Sequence, residues 1–141
     1  MESAPRPKLA TCVLVFKDGK VLLNKRKGDG RTDGMYGTPG GHVENLETFV
    51  ACVTREIAEE AGVEVENIVP IAVSNVRDFP PAHYVVISLR ADWKSGEPQN
   101  LEPEASDGWG WFALDALPSP LTPATEDAIE ASKSGKVFFD E

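Results

Sequence analysis

Gly41-His42-Val43-Glu44-Asn45-Leu46-Glu47, then after seven residues Arg55-Glu56-Ile57-Ala58-Glu59-Glu60-Ala61-Gly62-Val63, is the stretch on which the fold and the chemistry turn. From Glu47 to Ala61 there is neither Gly nor Pro, and Phe49, Val50, Val53, Ile57 and Ala61 recur at helical intervals. That periodicity predicts an amphipathic helix over 47–61, closed by Gly62 as a C-cap. On such a helix Glu56, Glu59 and Glu60 stand at i, i+3 and i+4, so they share one face and repel one another. A hard divalent cation relieves that repulsion. Mg²⁺ is the natural candidate, because it prefers carboxylate oxygens, keeps several waters and completes its shell from substrate phosphate. The opposite face, with Val50, Val53, Ile57 and Ala61, is expected to pack. An isolated acidic stripe is more often a solvated surface. Here Gly40-Gly41 precedes it, and a tight turn at Pro39-Gly40-Gly41 would bring backbone to the head of the acidic face.

Outward from this segment the signals alternate between strands and helices. Lys8 to Phe16 and Val21 to Leu23 are apolar and β-branched around Lys17-Asp18-Gly19-Lys20, which predicts a β-hairpin. Glycines 28, 30, 34 and 37 punctuate a polar stretch, so 27–36 reads as an exposed loop. Ile68 to Val76 and Tyr84 to Ala91 read as strands, 94–107 as a polar loop, and Trp109 to Phe112 as a short aromatic strand. Thr125 to Lys133, prepared by Thr122-Pro123, predicts a last helix. The order strands, helix, strands, helix favours a mixed α+β layer structure.

With 141 residues the chain is expected to form a single domain over 1–141, with 1–7 as a flexible N-terminus. Acidic residues outnumber basic ones 23 to 14, for a net charge of −9. That sign disfavours long nucleic acid and anionic membrane surfaces as partners. A small phosphorylated ligand stays open, because cations bound among carboxylates reverse the local field. Cys12 and Cys52 lie in apolar company without metal-ligand spacing, and read as buried thiols in a reducing cytosol. The segment Met1–Lys8 lacks a secretory apolar region, and no stretch approaches the ~18 apolar residues of a membrane span, so a cytoplasmic location is expected.

The quoted segment resembles the Nudix box: Gly, five residues, Glu, seven residues, Arg-Glu, an aliphatic residue, any residue, Glu-Glu, any residue, Gly, aliphatic. Gly41, Glu47, Arg55, Glu56, Ile57, Glu59, Glu60, Gly62 and Val63 satisfy every specified position. The chance of such a match at one starting point is on the order of 10⁻⁹ from average composition. The resemblance implies a Nudix fold, a mixed β-sheet sandwiched between α-helices. It also implies that Glu59 and Glu60 ligate Mg²⁺, with Mn²⁺ as a substitute. Glu56 is then a further ligand or the general base, and the Gly40 carbonyl completes the site. Arg55 and Glu47 resemble the pair that orients the catalytic glutamates. The reaction implied is hydrolysis of a nucleoside diphosphate linked to another group, by attack of water on phosphorus with divalent metal present.

Segments outside the box narrow the resemblance. Val21 to Gly28, Pro39 to Glu44, His83-Tyr84-Val85 and Glu97 to Glu104 ahead of Trp109-Gly110-Trp111 are similar to the MutT-type nucleoside-triphosphate diphosphatases. That branch implies an NTP or dNTP cleaved to the monophosphate and pyrophosphate, with a homodimer as one assembly open to it. It also implies a further metal glutamate from the loop after the long strands, Glu104 first and Glu102 as the fallback. Arg26, Gly41, His42, Glu44, His83 and Tyr84 are the substrate-binding candidates, Arg26 toward phosphate. Tyr36, Phe79, Tyr84 and Trp109 are candidates for base stacking, although aromatic residues near strands are more often core. The alternative within enzymes is a hydrolase of ADP-ribose, a nucleotide sugar or a dinucleotide. From another class, a nucleotide-binding domain without catalysis is disfavoured by the intact box.

Overall fold

Lys8–Lys17 (β1) is apolar on both faces, and Thr11 through Val15 are all buried, as expected of a central strand. In the computed structural model, which describes residues 5–140, β1 turns at Asp18-Gly19 into Lys20–Arg26 (β2). Both turn residues have positive φ, 52° and 76°, the conformation a tight two-residue hairpin demands. The hairpin is paired only next to its turn, at Phe16↔Val21 and Lys17↔Lys20. Beyond that, Gly40–His42 (β4) takes the edge of β1 that β2 leaves, antiparallel to Ala10–Cys12. The expected tight turn at Pro39-Gly40-Gly41 is thus corrected to a strand. At Gly40 the approach is so close that a Cβ would collide with the Thr11 carbonyl, which only glycine avoids.

The rest of the sheet builds outward. Tyr84–Ser95 (β6) runs parallel to β1 along its whole length, and Glu64–Val76 (β5) lies antiparallel to β6. β2 continues antiparallel to Ser106–Ala113 (β7) and briefly to Tyr36–Gly37 (β3). Phe138–Phe139 (β8), which the sequence reading lacks, closes the far edge on β5. β5 begins four residues before the predicted Ile68. Its charged start is irregular, with register shifts against β6 and Asn67 at φ 55°, so no period-2 pattern marks it.

Two helices cover opposite faces of this mixed sheet of eight strands, as expected of a Nudix α+β sandwich. Phe49–Ala61 (α1) starts two residues later than predicted, because Thr48 acts as N-cap and its hydroxyl accepts the Ala51 N–H. It buries Val53, Ile57 and Ala61 against Val13, Val15, Leu22 and Leu89. Pro123–Ser134 (α2) buries Ala128 and Ile129 against Ala10, Cys12, Leu14 and Leu23. The alternation of β1 therefore divides one strand between two cores. Val50, expected on the packing face, is 48% exposed, and Phe49 beside it is exposed as well, so the first turn of α1 is left uncovered. Both cysteines are buried and unpaired. Residues 1–4 of the predicted flexible N-terminus lie outside the described residues, while 5–7 are exposed and belong to no strand. Among the described residues no helix is long and apolar enough to cross a membrane.

Ile57 and Val50 separate buried from exposed positions on α1. Ile57→Ala is expected to destabilise the protein by about 2–5 kcal/mol, and Val50→Ala by under about 0.5 kcal/mol, read by urea denaturation. Equal losses would place Val50 back in the core.

Candidate active site

β4 is held between β1 and α1, and its two glycines bring backbone against two box carboxylates. The Gly40 N–H donates to Glu60 Oε1 at 2.9 Å. At Gly41 a Cβ would lie 2.5 Å from Glu56 Cδ, so a side chain there would push the Glu56 carboxylate out of its place. The helix explains which glutamates are involved: with Ile57 and Ala61 fixed in the core, Glu56 and Glu60 lie along the flank beside β4, while Glu59 points further out and is 53% exposed.

Arg55 ties the carboxylates together. Its Nε and Nη2 donate to the two oxygens of Glu47 at 2.8 and 3.0 Å, a bidentate pair. Nη1 reaches Glu56 Oε1 at 2.8 Å and Glu59 Oε2 at 3.4 Å, and Nη2 also donates to the His42 carbonyl at 3.2 Å. Glu44 faces Arg55 at 3.7 Å and belongs to this network. Its N–H also donates to Glu47 Oε1. Hydrogen bonding from Arg55 holds the Glu47 carboxyl down at about 2. Burial pushes Glu60 up to about 8, with Glu56 and Glu102 adding to the rise, while the Gly40 N–H and Arg26 oppose it. Burial also raises Glu56, against the pull of Arg55.

The loop before β7 is pinned to the C-terminal end of α1. Gln99 N–H donates to the Ala61 carbonyl at 2.9 Å, and Leu101 N–H and Trp109 Nε1 donate to the Glu60 carbonyl at 3.4 and 3.2 Å. These bonds satisfy carbonyls that a helix end leaves free. They also seat Glu102, half-buried, where its charge acts on both Glu56 and Glu60. The first expectation, Glu104, is exposed further along, with its carbonyl against Gly28. Among the described residues no three acidic, imidazole or thiol groups stand close enough to enclose an ion as they are. The donor chemistry nevertheless suits a hard cation, since Glu56, Glu59, Glu60 and Glu102 offer only oxygen. Arg55 meanwhile supplies the positive charge that Glu56 and Glu59 share.

A cleft of about 220 Å³ opens on the other side of β4. Of the substrate candidates, Arg26, Gly41, His42 and Tyr84 line it, and the His42 and Tyr84 rings stack at 5.7 Å between centroids. His83 is placed elsewhere, with Nε2 2.6 Å from Asn75 Oδ1. Phe79 lines the cleft, whereas Tyr36 packs edge-on against Phe112 and Trp109 joins the core beside α1. Asp29, Arg31 and Thr32, read only as loop, and Thr122 to Thr125 at the start of α2, also line it. The Asp-x-x-Thr spacing at 29–32 is the one local signal that could have marked the loop as structured.

The chain belongs to the Nudix family: the NUDIX domain matches over residues 6–133. It is 39% identical over 114 residues to the NAD-capped RNA hydrolase NudC of Pseudomonas aeruginosa, covering 81% of this chain and 39% of that protein. It therefore spans about two fifths of the length of such curated relatives. Among solved structures it resembles the MutT NUDIX hydrolase of Burkholderia pseudomallei, with a TM-score of 0.85 and 39% identity over 90% of this chain and 98% of that one. The NUDIX domain of Shewanella oneidensis NrtR, solved with ADP ribose, has a TM-score of 0.76 at 24% identity over 94% and 90% of the two chains, a likeness of fold alone.

Glu60 gives the metal-free protein a distinct pH response. Its folded carboxyl keeps a proton up to about 8, against 4.5 ordinarily, so its contribution is full below about 4.5 and is lost as pH rises toward 8. Urea denaturation in EDTA is expected to show stability falling across that window, and a clearly flatter profile in Glu60→Gln. An unchanged slope in the variant would remove Glu60 as the cause.

Proposed function

We propose that this chain is a Mg²⁺-dependent Nudix hydrolase that cleaves the pyrophosphate of a dinucleotide of the NAD type. The observation that carries the reading is the shared backbone of cleft and carboxylates: Gly40 and Gly41 line the cleft and also abut Glu60 and Glu56. A nucleoside in the cleft thus has its phosphates beside the acidic flank of α1. The name of the NudC relatives favours a dinucleotide over the NTP or dNTP expected from sequence. The MutT NUDIX hydrolase, matched along nearly its whole length, keeps triphosphate cleavage as the second reading.

Glu56, Glu59 and Glu60, with the Gly40 carbonyl, are the groups that would hold Mg²⁺, and Glu102 is the loop carboxylate placed to join them. Bound there, the metal would neutralise phosphate charge and lower the pKa of water. Arg55 keeps Glu56 and Glu59 in register with β4, and Glu47 keeps Arg55 in turn. The stacked His42 and Tyr84 rings offer an aromatic wall to a base. Arg26 lies on the phosphate side, close enough to Glu60 for its charge to be felt there. The buried free thiols support a reducing, cytoplasmic setting.

A substrate panel with Mg²⁺ tests the reading: NADH, NAD-capped RNA, ADP-ribose, a UDP-sugar, and the common NTPs and dNTPs. NADH is expected to give the highest kcat/KM, with AMP as a product. A higher kcat/KM for any triphosphate, with release of pyrophosphate, would overturn it. Capped RNA turned over better than NADH would bring back the long nucleic acid that the charge of −9 disfavours. EDTA should abolish turnover and Mg²⁺ restore it. Arg55→Ala should lower kcat about 10- to 100-fold, as expected for a group that orients metal ligands. Glu59→Gln should lower it further while the fold stays intact.

A further inference from the structure

The loop 27–35 is ordered by its own side chains. Asp29 Oδ1 accepts the N–H groups of Arg31 and Thr32 at 2.9 and 2.8 Å, and Asp33 Oδ1 accepts those of Asp29 and Gly30 at 3.1 and 3.2 Å. Gly28, Gly30 and Gly34, with φ of 91°, 74° and 81°, allow the chain to fold back on itself so tightly. Backbone bonds then fasten the loop to the end of β2, Arg26 N–H to the Met35 carbonyl and Gly34 N–H to the Arg26 carbonyl, both at 2.8 Å.

One side-chain relay leads out of this loop to Arg26. Thr32 Oγ1 lies 2.6 Å from Asp29 Oδ2, and Arg26 Nε lies 2.9 Å from Thr32 Oγ1. Its direction is fixed by chemistry. Burial would raise Asp29, but hydrogen bonds from Thr32 and Arg31 and the charge of Arg26 hold it ionised at about 2, so it can only accept. The one Thr32 proton therefore goes to Asp29, and the remaining lone pairs of Oγ1 receive the Arg26 Nε–H. Gly37 supports the same side chain, since even a methyl there would lie 3.2 Å from Arg26 Cδ. Among the described residues the Arg26 guanidinium makes no other hydrogen bond. Its two terminal nitrogens thus remain for an outside acceptor, in the fork geometry that suits phosphate. Arg26, Asp29, Thr32, Gly40 and Gly41 all line the one cleft.

We propose that Thr32, anchored by Asp29, is a positioning residue that aims Arg26 at a phosphate of the bound nucleotide. The inference rests on the cleft being the nucleotide site. It does not depend on which nucleotide is cleaved, because dinucleotides and triphosphates both present phosphate oxygens there. Loss of the relay leaves Arg26 free to rotate, so it weakens binding of the phosphate and not of the nucleoside. The charge-assisted bond at stake corresponds to an affinity change of about tenfold.

Thr32→Val removes the hydroxyl with little change of shape. It is expected to raise KM about tenfold for whichever nucleotide the wild type turns over, with a far smaller change in kcat, and Thr32→Ser should restore KM to within about twofold. By calorimetry with Mg²⁺ present, Kd for AMP should rise about tenfold in Thr32→Val while that for adenosine stays put. In an Arg26→Ala background Thr32→Val should do nothing further to either. A KM and AMP affinity unmoved by Thr32→Val, a loss shared equally by AMP and adenosine, or additive effects with Arg26→Ala would each overturn the proposal. So would a wild type that binds no AMP. If triphosphates replace NADH as the preferred substrate, the dinucleotide reading falls and the Thr32 test proceeds on the triphosphate.

Discussion

At Gly40 the backbone of β4 lies so close to β1 that a side chain would strike the Thr11 carbonyl, and at Gly41 the same strand meets the Glu56 carboxylate. This double contact sets the acidic face of α1 apart from that of an ordinary surface helix. Elsewhere on a protein surface three glutamates at i, i+3 and i+4 would be fully hydrated and would repel one another weakly. Against β4 two of them lose water, and a backbone N–H is fixed toward one of them. The splayed β1–β2 hairpin follows from the same constraint, since β2 must leave the edge of β1 for β4 to occupy it. A side chain at Gly40 would therefore disturb the sheet, and one at Gly41 would displace the Glu56 carboxylate.

Arg55 answers the charge problem that this packing creates. One guanidinium faces Glu47, Glu56 and Glu59, and its bidentate bond to Glu47 fixes the plane in which it meets the other two. Among the described residues Glu60 has no such ion pair; the Gly40 N–H and the charge of Arg26 oppose burial without offsetting it, and its carboxyl is pushed up to about 8. The division is chemically useful. Glu47 stays ionised throughout the physiological range and serves as a fixed anchor, whereas Glu60 gives up its proton most readily when a cation or a rise in pH compensates.

Much of this was legible in the sequence because it depends on local spacing. The helix register of Glu56, Glu59 and Glu60 against Ile57 and Ala61, and the Gly62 cap, follow from a period of 3.6 residues. What escaped depends on contacts distant in the chain. Gly40-Gly41 reads as a turn because nothing nearby reveals that β1, thirty residues earlier, would pair with it. Val50 sits at a proper helical interval, yet it is exposed, and whether a neighbour covers that turn is not written in the helix. That Glu102 and not Glu104 lies near the box carboxylates depends on Gln99 and Leu101 bonding to the last carbonyls of α1, which no local pattern reveals. The bond between His83, a substrate-binding candidate, and Asn75 on the neighbouring strand likewise joins residues that no local pattern pairs.

The net charge of −9 takes on a different meaning once its distribution is known. The carboxylates flanking α1 would repel a phosphorylated ligand in the absence of a cation, so on the proposed reading metal and substrate would bind with strong mutual dependence. The cleft wall, by contrast, carries Arg26 and Arg31, with the Asp29 carboxylate engaged by Thr32 and by backbone N–H groups. Cationic groups thus stand on one side of β4 and an acidic flank on the other. On the proposed reading such a field would orient a nucleotide before any base contact is made, with phosphates toward the arginine and nucleoside toward the stacked rings of His42 and Tyr84. The asymmetry is built by a strand of three residues, whose two glycines let it lie between β1 and the carboxylates of α1.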